Sequence, residues 1–139
     1  MTFTIPDTPF GERVRRRLDE EVVGWLTTVS PDGTPRPSPV WFLWEGESML
    51  IYSKDGTSRT RNLARDSSVS FNFDGNGTGG DIVVLEGTAV VSEDPPSTEI
   101  SAYQTKYAEE IPNIGMTPGE FAIGYPVPIR FTPERLRGF

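Results

Sequence analysis

The 139-residue sequence contains no cysteine. That excludes disulfides, thiolate metal sites and cysteine nucleophiles, and leaves no pointer to a redox compartment. It contains no histidine either, which removes the usual general base near neutral pH, the usual zinc and iron ligand, and every histidine-containing triad. No apolar run approaches the roughly 18 residues of a membrane-crossing helix. The opening MTFTIPDTPF has neither the basic region nor the apolar segment of a secretory signal. A cytoplasmic protein with no membrane span is expected. Positive charge is scarce, with 13 Lys+Arg against 20 Asp+Glu and a formal net charge of -7. That balance repels a nucleic-acid backbone at long range, so no nucleic-acid partner is expected.

What is present is aromatic and turn-rich. Eight Phe, three Trp and four Tyr argue for an ordered core, while 14 Gly and 13 Pro imply many turns between short elements. The length fits one domain, residues 1–139, around one core.

The first ten residues, with two prolines, read as an extended arm. GERVRRRLDEE, 11–21, spaces Val14, Leu18 and Val22 for one apolar helical stripe. VVGWLTTV, 22–29, reads as a strand and SPDG as the following turn. Pro35, Pro37 and Pro39 then remove alternate backbone donors, so this run should form an edge or irregular strand. VWFLW and SMLIYS complete what is most economically a three-stranded antiparallel meander. Thr57 or Ser58 caps a short helix over Arg59 to Arg65. SVSFNF alternates as a half-buried strand, DGNGTGGD is a glycine-rich hairpin loop containing the turn NGT at 76–78, and IVVLEGTAVVS is the longest strand, bent or bulged at Gly87. Ile100, Tyr103, Tyr107 and Ile111 share one helical rhythm, which predicts a single helix from about residue 95. EFAIGYPVPIRF returns to strand alternation before TPERLRGF closes the chain. About six antiparallel strands with two or three short helices, and no regular strand-helix alternation, favour a mainly β barrel.

The basic residues are grouped despite the negative total. Arg13, Arg15, Arg16 and Arg17 lie in the first helix, and Lys54, Arg59, Arg61 and Arg65 in IYSKDGTSRTRNLARDSSVSF, 51–71. Arg59 and Asn62 share a helical face, Thr57 and Ser58 stand where free N–H groups point outward, and Ser53 ends the preceding strand. Together they could surround a phosphate; the same residues would also make a capped surface helix whose arginines pair with acidic neighbours. The glycine cluster 75–80 lacks the GK[ST] ending of a P-loop and has no helix after it, so it reads as a hairpin loop. Asp74 and Asp81 make no persuasive metal site, and none is expected. Ser38, Pro39, Val40, Trp41 and Phe42 form a proline-broken strand among aromatics, which can offer backbone groups to the edge of a planar ring. No carboxylate pair or activated nucleophile is placed for catalysis, so reactive atoms would come from a cofactor.

GWLTTVSPDGTPRPSPVWFLW (24–44), MLIYSKDGTSRTRNLARDSSVSFNF (49–73), VVLEGTAVV (83–91) and PIRFTPERLRGF (128–139) together resemble the pyridoxamine 5'-phosphate oxidase-like split-barrel proteins. The likeness is strongest to their mycobacterial and actinobacterial branch, which uses the deazaflavin coenzyme F420. The resemblance implies a split β-barrel homodimer with two cofactor sites at the subunit interface. It implies that Ser38 to Phe42 run beside the ring, with Trp41 shaping the pocket, and that Ser53, Thr57, Ser58, Arg59 and Asn62 hold the phosphate. The family often has lysine at the position of Arg59; arginine keeps the charge and adds a forked contact. The implied activity is hydride transfer from reduced deazaflavin to a small organic acceptor, with no residue marked as a catalytic acid. The anionic oligoglutamate tail of that cofactor would give Arg13 to Arg17 a use. The same fold holding FMN, or serving as a non-enzymatic carrier of F420, are the other two readings.

Overall fold

The structure, a computed structural model, describes residues 3–139; the first two residues of the expected arm lie outside them. Residues 3–8 form no regular element. The first helix, α1 (Pro9–Glu20), begins two residues earlier than the sequence predicts, because Thr8 caps it, accepting from the Gly11 N–H at 3.1 Å, with Pro9 at the first helical position. Val14 and Leu18 are fully buried as the stripe requires, while Val22 lies beyond the helix.

Seven strands follow: β1 (Val23–Val29), β2 (Pro35–Trp41), β3 (Leu43–Trp44), β4 (Met49–Ser53), β5 (Ser68–Asn72), β6 (Val83–Val91) and β7 (Val127–Gly138). All pair antiparallel in the order β2-β1-β5-β6-β7-β4-β3. The two ends of this curled half-barrel, β2 and β3, are consecutive in the chain, separated only by Phe42. The expected meander is therefore corrected to two hairpins, β1-β2 and β3-β4, at opposite ends of the sheet. That break also raises the strand count from six to seven.

The prolines explain the free edge. Pro35, Pro37 and Pro39 face Val29, Thr27 and Trp25 across β1, and alternate residues of a strand turn their N–H groups toward the same side. The three missing donors thus fall on the side where no strand follows, and β2 remains fully paired on the other. At the far side, the register shifts between Glu86 and Gly87 as β6 meets β7, the bulge anticipated at Gly87. A Cβ there would lie 2.1 Å from the Thr132 carbonyl oxygen, so only glycine permits the strands to close.

All five residues of β4 are buried because both of its faces are covered. Met49 and Ile51 enter the barrel core with Val14, Leu18, Leu26, Phe42, Phe71 and Phe131. Leu50 and Tyr52 meet a second cluster with Leu43, Tyr103, Tyr107, Ile111 and Phe121. This second cluster comes from the excursion between β6 and β7. In place of one helix it holds a 3-10 turn (Ser97–Glu99), α3 (Ser101–Lys106), α4 (Glu110–Asn113) and α5 (Pro118–Gly124). Tyr103, Tyr107 and Ile111 are buried as their rhythm predicts, but packing, not propensity, sets where each turn stops. α5 replaces the start of a predicted strand. Thr117 and Glu120 form a capping box with Pro118 at the first turn, and the alternation through Phe121, Ile123 and Tyr125 was misleading, since Ile123 is 82% exposed. The excursion starts and ends on one rung, where the Ser92 N–H donates to the Pro128 carbonyl at 2.9 Å.

Arg130 on β7 clamps that rung. It reaches Asp94 Oδ1 at 2.6 Å and Oδ2 at 3.3 Å, and Glu45 Oε1 at 2.5 Å. The Arg130 hydrogen bond, with a smaller one from Ser92, holds the Asp94 carboxyl below its usual range. A depressed folded pKa contributes stability that is present above the unfolded carboxylate range and lost as pH falls through the folded value. Asp94→Asn is therefore expected to cost about 1 kcal/mol at pH 7, with the difference from the parent shrinking as pH falls below about 4. Urea unfolding at both pH values checks this; a difference independent of pH would remove the ion pair as its cause.

Candidate functional site

Two clefts meet at the start of α2 (Ser58–Arg65). Thr57 is its N-cap, accepting from the Thr60 N–H at 3.3 Å. No main-chain hydrogen bond to another element engages the N–H groups of Ser58 and Arg59 among the described residues. The first cleft, about 410 Å³, is walled by Pro39, Val40 and Trp41 of β2, by Tyr52 and Ser53 of β4, and by Ile114, Phe121 and Tyr125 of the excursion. The second, about 650 Å³, lies over the other face of the α2 start, between Thr28, Ser30, Arg36, Ser38, Ser58 and Asn62, with Arg61 and Arg65. Thr57 and Arg59 line both.

Arg59 is the hinge of this arrangement. Its Nη1 donates to Ser53 Oγ at 2.9 Å and its Nη2 to Ser38 Oγ at 2.7 Å, joining the end of β4 to the middle of β2. Its buried Nε has no partner, and burial lowers the pKa of the guanidinium, which remains charged. Each serine accepts from Arg59, so each hydroxyl proton is free to point elsewhere. Arg59 therefore keeps one donor unspent, brings a positive charge to both clefts and organises two hydroxyl donors, a set suited to an anion.

Asn62 shares the Arg59 face as predicted and lines the second cleft, but its buried amide is committed. It donates to Thr28 Oγ1 at 3.1 Å, tying α2 to β1. Ser38, Pro39, Val40, Trp41, Ser53, Thr57 and Ser58 all line one cleft or the other. Phe42 does not: its ring is fully buried against Phe71 and Phe73. Its N–H donates to the Tyr107 hydroxyl at 2.7 Å, and its carbonyl accepts from Lys106 Nζ at 2.7 Å.

The excursion supplies what sequence reasoning missed. Trp41 stacks on Tyr107 at 4.6 Å and 9°, and on Phe121 at 5.4 Å and 18°; Phe121 stacks in turn on Tyr125 at 4.6 Å. Phe121 and Tyr125, one helical turn apart, were the signal, hidden by the strand assignment. Tyr52 donates to the Pro95 carbonyl, and burial, followed by the Asp94 charge, pushes its phenol up to about 12, so it is a neutral wall at physiological pH. Thr28 and Arg36 were legible only as polar residues of two strands, and Ser30 only as the start of the SPDG turn.

The electrostatics of the two clefts oppose those of the chain. Arg36, Lys54, Arg59, Arg61 and Arg65 line them, and no Asp or Glu does, although acidic residues outnumber basic ones by 20 to 13 overall. The Arg13 to Arg17 cluster lies elsewhere and is largely spent. Arg13 and Arg17 pair with Asp81 at 2.7 and 3.3 Å, Arg17 also donates to the Asp74 and Asp81 carbonyls, and Arg15 holds the Ile5 and Pro6 carbonyls. These contacts fasten the arm and the glycine-rich hairpin loop.

Comparison with known proteins places this architecture. No curated protein matches the sequence significantly. Among solved structures, a candidate pyridoxamine 5'-phosphate oxidase from Listeria innocua superposes with a TM-score of 0.70 at 22% identity, over 91% of this chain and 94% of that one. An F420 reductase superposes at 0.69 and 21%, over 88% and 94%. The heme storage protein HutZ from Vibrio cholerae superposes at 0.63 and 17%, over 94% and 95%. At such identities these likenesses establish the curled barrel and not the chemistry. The pyridoxamine 5'-phosphate oxidase family profile, however, matches residues 10–138, from the second residue of α1 to the last of β7. By that match across nearly its whole length, the chain belongs to the pyridoxamine 5'-phosphate oxidase family.

Proposed function

We propose that this chain is an oxidoreductase of the deazaflavin-using, actinobacterial branch of its family, taking coenzyme F420 across the two clefts with its phosphate at Arg59. The observation that carries this reading is the Arg59 junction: a buried guanidinium with an unspent Nε, two serine hydroxyls that accept from it and keep their own protons to donate, free N–H groups at a helix start, and no carboxylate in the lining. These groups fit a phosphate. The apolar wall of Pro39, Val40 and Trp41 fits a flat ring. Reduced deazaflavin, when bound, supplies a hydride to an electron-poor acceptor. The protein's own part is to anchor the phosphate, hold the ring against β2, and keep water out by the aromatic stack. The absence of His and Cys leaves the chain without the commonest axial ligands for haem, which separates it from a haem-storing role.

The outer edge of β2 exposes Pro35, Arg36, Pro37 and Pro39 beside the open first cleft. A second copy of the chain covering this edge completes the site, so a homodimer is expected by sedimentation analysis.

Titration with oxidised F420 and with FMN, followed by tryptophan quenching, tests the assignment, because Trp41 lines the first cleft. Micromolar or tighter F420 binding, with FMN at least tenfold weaker, is the expected result. Preference for FMN would move the chain to the flavin-using branch, and binding of neither would overturn the proposal. Tight F420 binding with no reduction of nitroaromatic, enone or quinone acceptors would make the protein a carrier.

A further inference from the structure

We infer that Lys54 is a specificity-determining residue and that the acceptor is a flat, conjugated molecule carrying a carboxylate or an equivalent single negative charge. The inference rests on the proposed cofactor site and concerns the part of the first cleft that site leaves over. The four guanidiniums gather in the second cleft, where Arg59 is pinned by Ser38 and Ser53, Arg61 donates to the Gly56 carbonyl, and Arg65 to the Val29 carbonyl. Lys54 alone adds a positive charge to the first cleft apart from Arg59. It is exposed, and among the described residues it makes no ion pair.

Its one directed contact is with the wall. Lys54 Nζ lies 5.5 Å from the centroid of the Tyr125 ring, the last member of the stack that runs through Phe121 to Trp41. The ammonium thus stands at one end of a row of rings, with the half-exposed Ile114 also in the wall. A molecule lying against those rings is apolar along its faces and meets a cation at one edge. A neutral ring gains only the stacking, and a cationic one is repelled. An anionic one gains a charge-assisted hydrogen bond. The absence of any acidic side chain from the lining means that no internal partner competes for Lys54.

The test compares 2-naphthoate with 2-naphthamide, which share a ring system and differ in charge, by calorimetric titration of the protein saturated with oxidised cofactor. For the parent protein, 2-naphthoate should bind about tenfold tighter. Lys54→Met should bring the two within twofold of each other while leaving cofactor affinity unchanged. Equal binding of the two probes by the parent, binding of neither, or a preference that survives in Lys54→Met would overturn the inference. So would an equal loss of cofactor affinity in Lys54→Met, which would assign the ammonium to the cofactor. Failure of the cofactor itself to bind the parent is a separate result, read in the preceding titration, and strikes the proposed function.

Discussion

Arg59→Ala is expected to weaken binding of the phosphate-bearing cofactor about a hundredfold while leaving the thermal midpoint almost unchanged. The affinity loss follows from removing a guanidinium that brings a charge and organises the Ser38 and Ser53 hydroxyls. Two hydrogen bonds to a charged group contribute about 1.5 kcal/mol or more each, and roughly 2.7 kcal/mol is a factor of a hundred. The stability argument runs the other way. Burial lowers the pKa of Arg59, so in the free protein the charge is held against its own desolvation, and truncation removes that cost along with two neutral acceptors' donor. Arg59→Lys keeps the charge and loses the fork, so it should recover about tenfold of the loss. Titration and a melting curve on the same samples check both halves. An unchanged affinity with an intact fold would remove Arg59 from the phosphate grip.

Tyr107→Phe is expected to destabilise the protein by roughly 2 kcal/mol, lowering the thermal midpoint by about 5–8 °C. The change deletes one oxygen and creates no steric problem. That oxygen, however, accepts from the Phe42 N–H at 2.7 Å and lies 2.8 Å from the Val22 carbonyl and 2.9 Å from that of Phe42. Phe42 is the only residue between β2 and β3, so its N–H has no strand partner to turn to. A buried donor left unpaired costs its full desolvation penalty. Burial raises the Tyr107 phenol far above its ordinary value, so the hydroxyl stays protonated across the accessible range and the effect should not change between pH 6 and 9. The phenylalanine ring keeps the stack on Trp41, so cofactor affinity should move much less than stability. A loss below about 0.5 kcal/mol would mean that water replaces the hydroxyl.

The sequence made the strands legible where their two faces differ. β1 and β5 alternate buried and half-exposed residues, and the triple proline marks the edge because a missing N–H is a local fact about a residue. The cap at Thr57 and the shared face of Arg59 and Asn62 are local in the same sense, which is why the centre of the candidate site could be read before any fold was known. What could not be read depends on distant pairings. A three-residue turn between VWFLW and SMLIYS implies a hairpin, but nothing nearby says that the preceding strand has already left for the opposite end of the sheet. Phe42 was expected beside the ring with its neighbours, yet alternation turns it into the core while Trp41 faces the cleft. The aromatic wall was missed for a third reason: Phe121, Ile123 and Tyr125 satisfy a period of two as well as the one-turn spacing of a helix, and only the Thr117–Glu120 box distinguishes them.

The excursion after β6 departs and returns on the rung that joins Ser92 to Pro128. Its length is therefore free of the barrel's register, and a change in the number of residues between about 96 and 126 does not slide β6 against β7. Phe121, Tyr125 and Ile114 lie in that segment, whereas Arg59, Ser38 and Ser53 belong to the barrel and its short helix. Selection, or a grafting experiment, can thus exchange the aromatic wall of the first cleft while Arg59, its two serines and Lys54 are inherited intact. One scaffold built this way can reshape a cleft wall through a single loop.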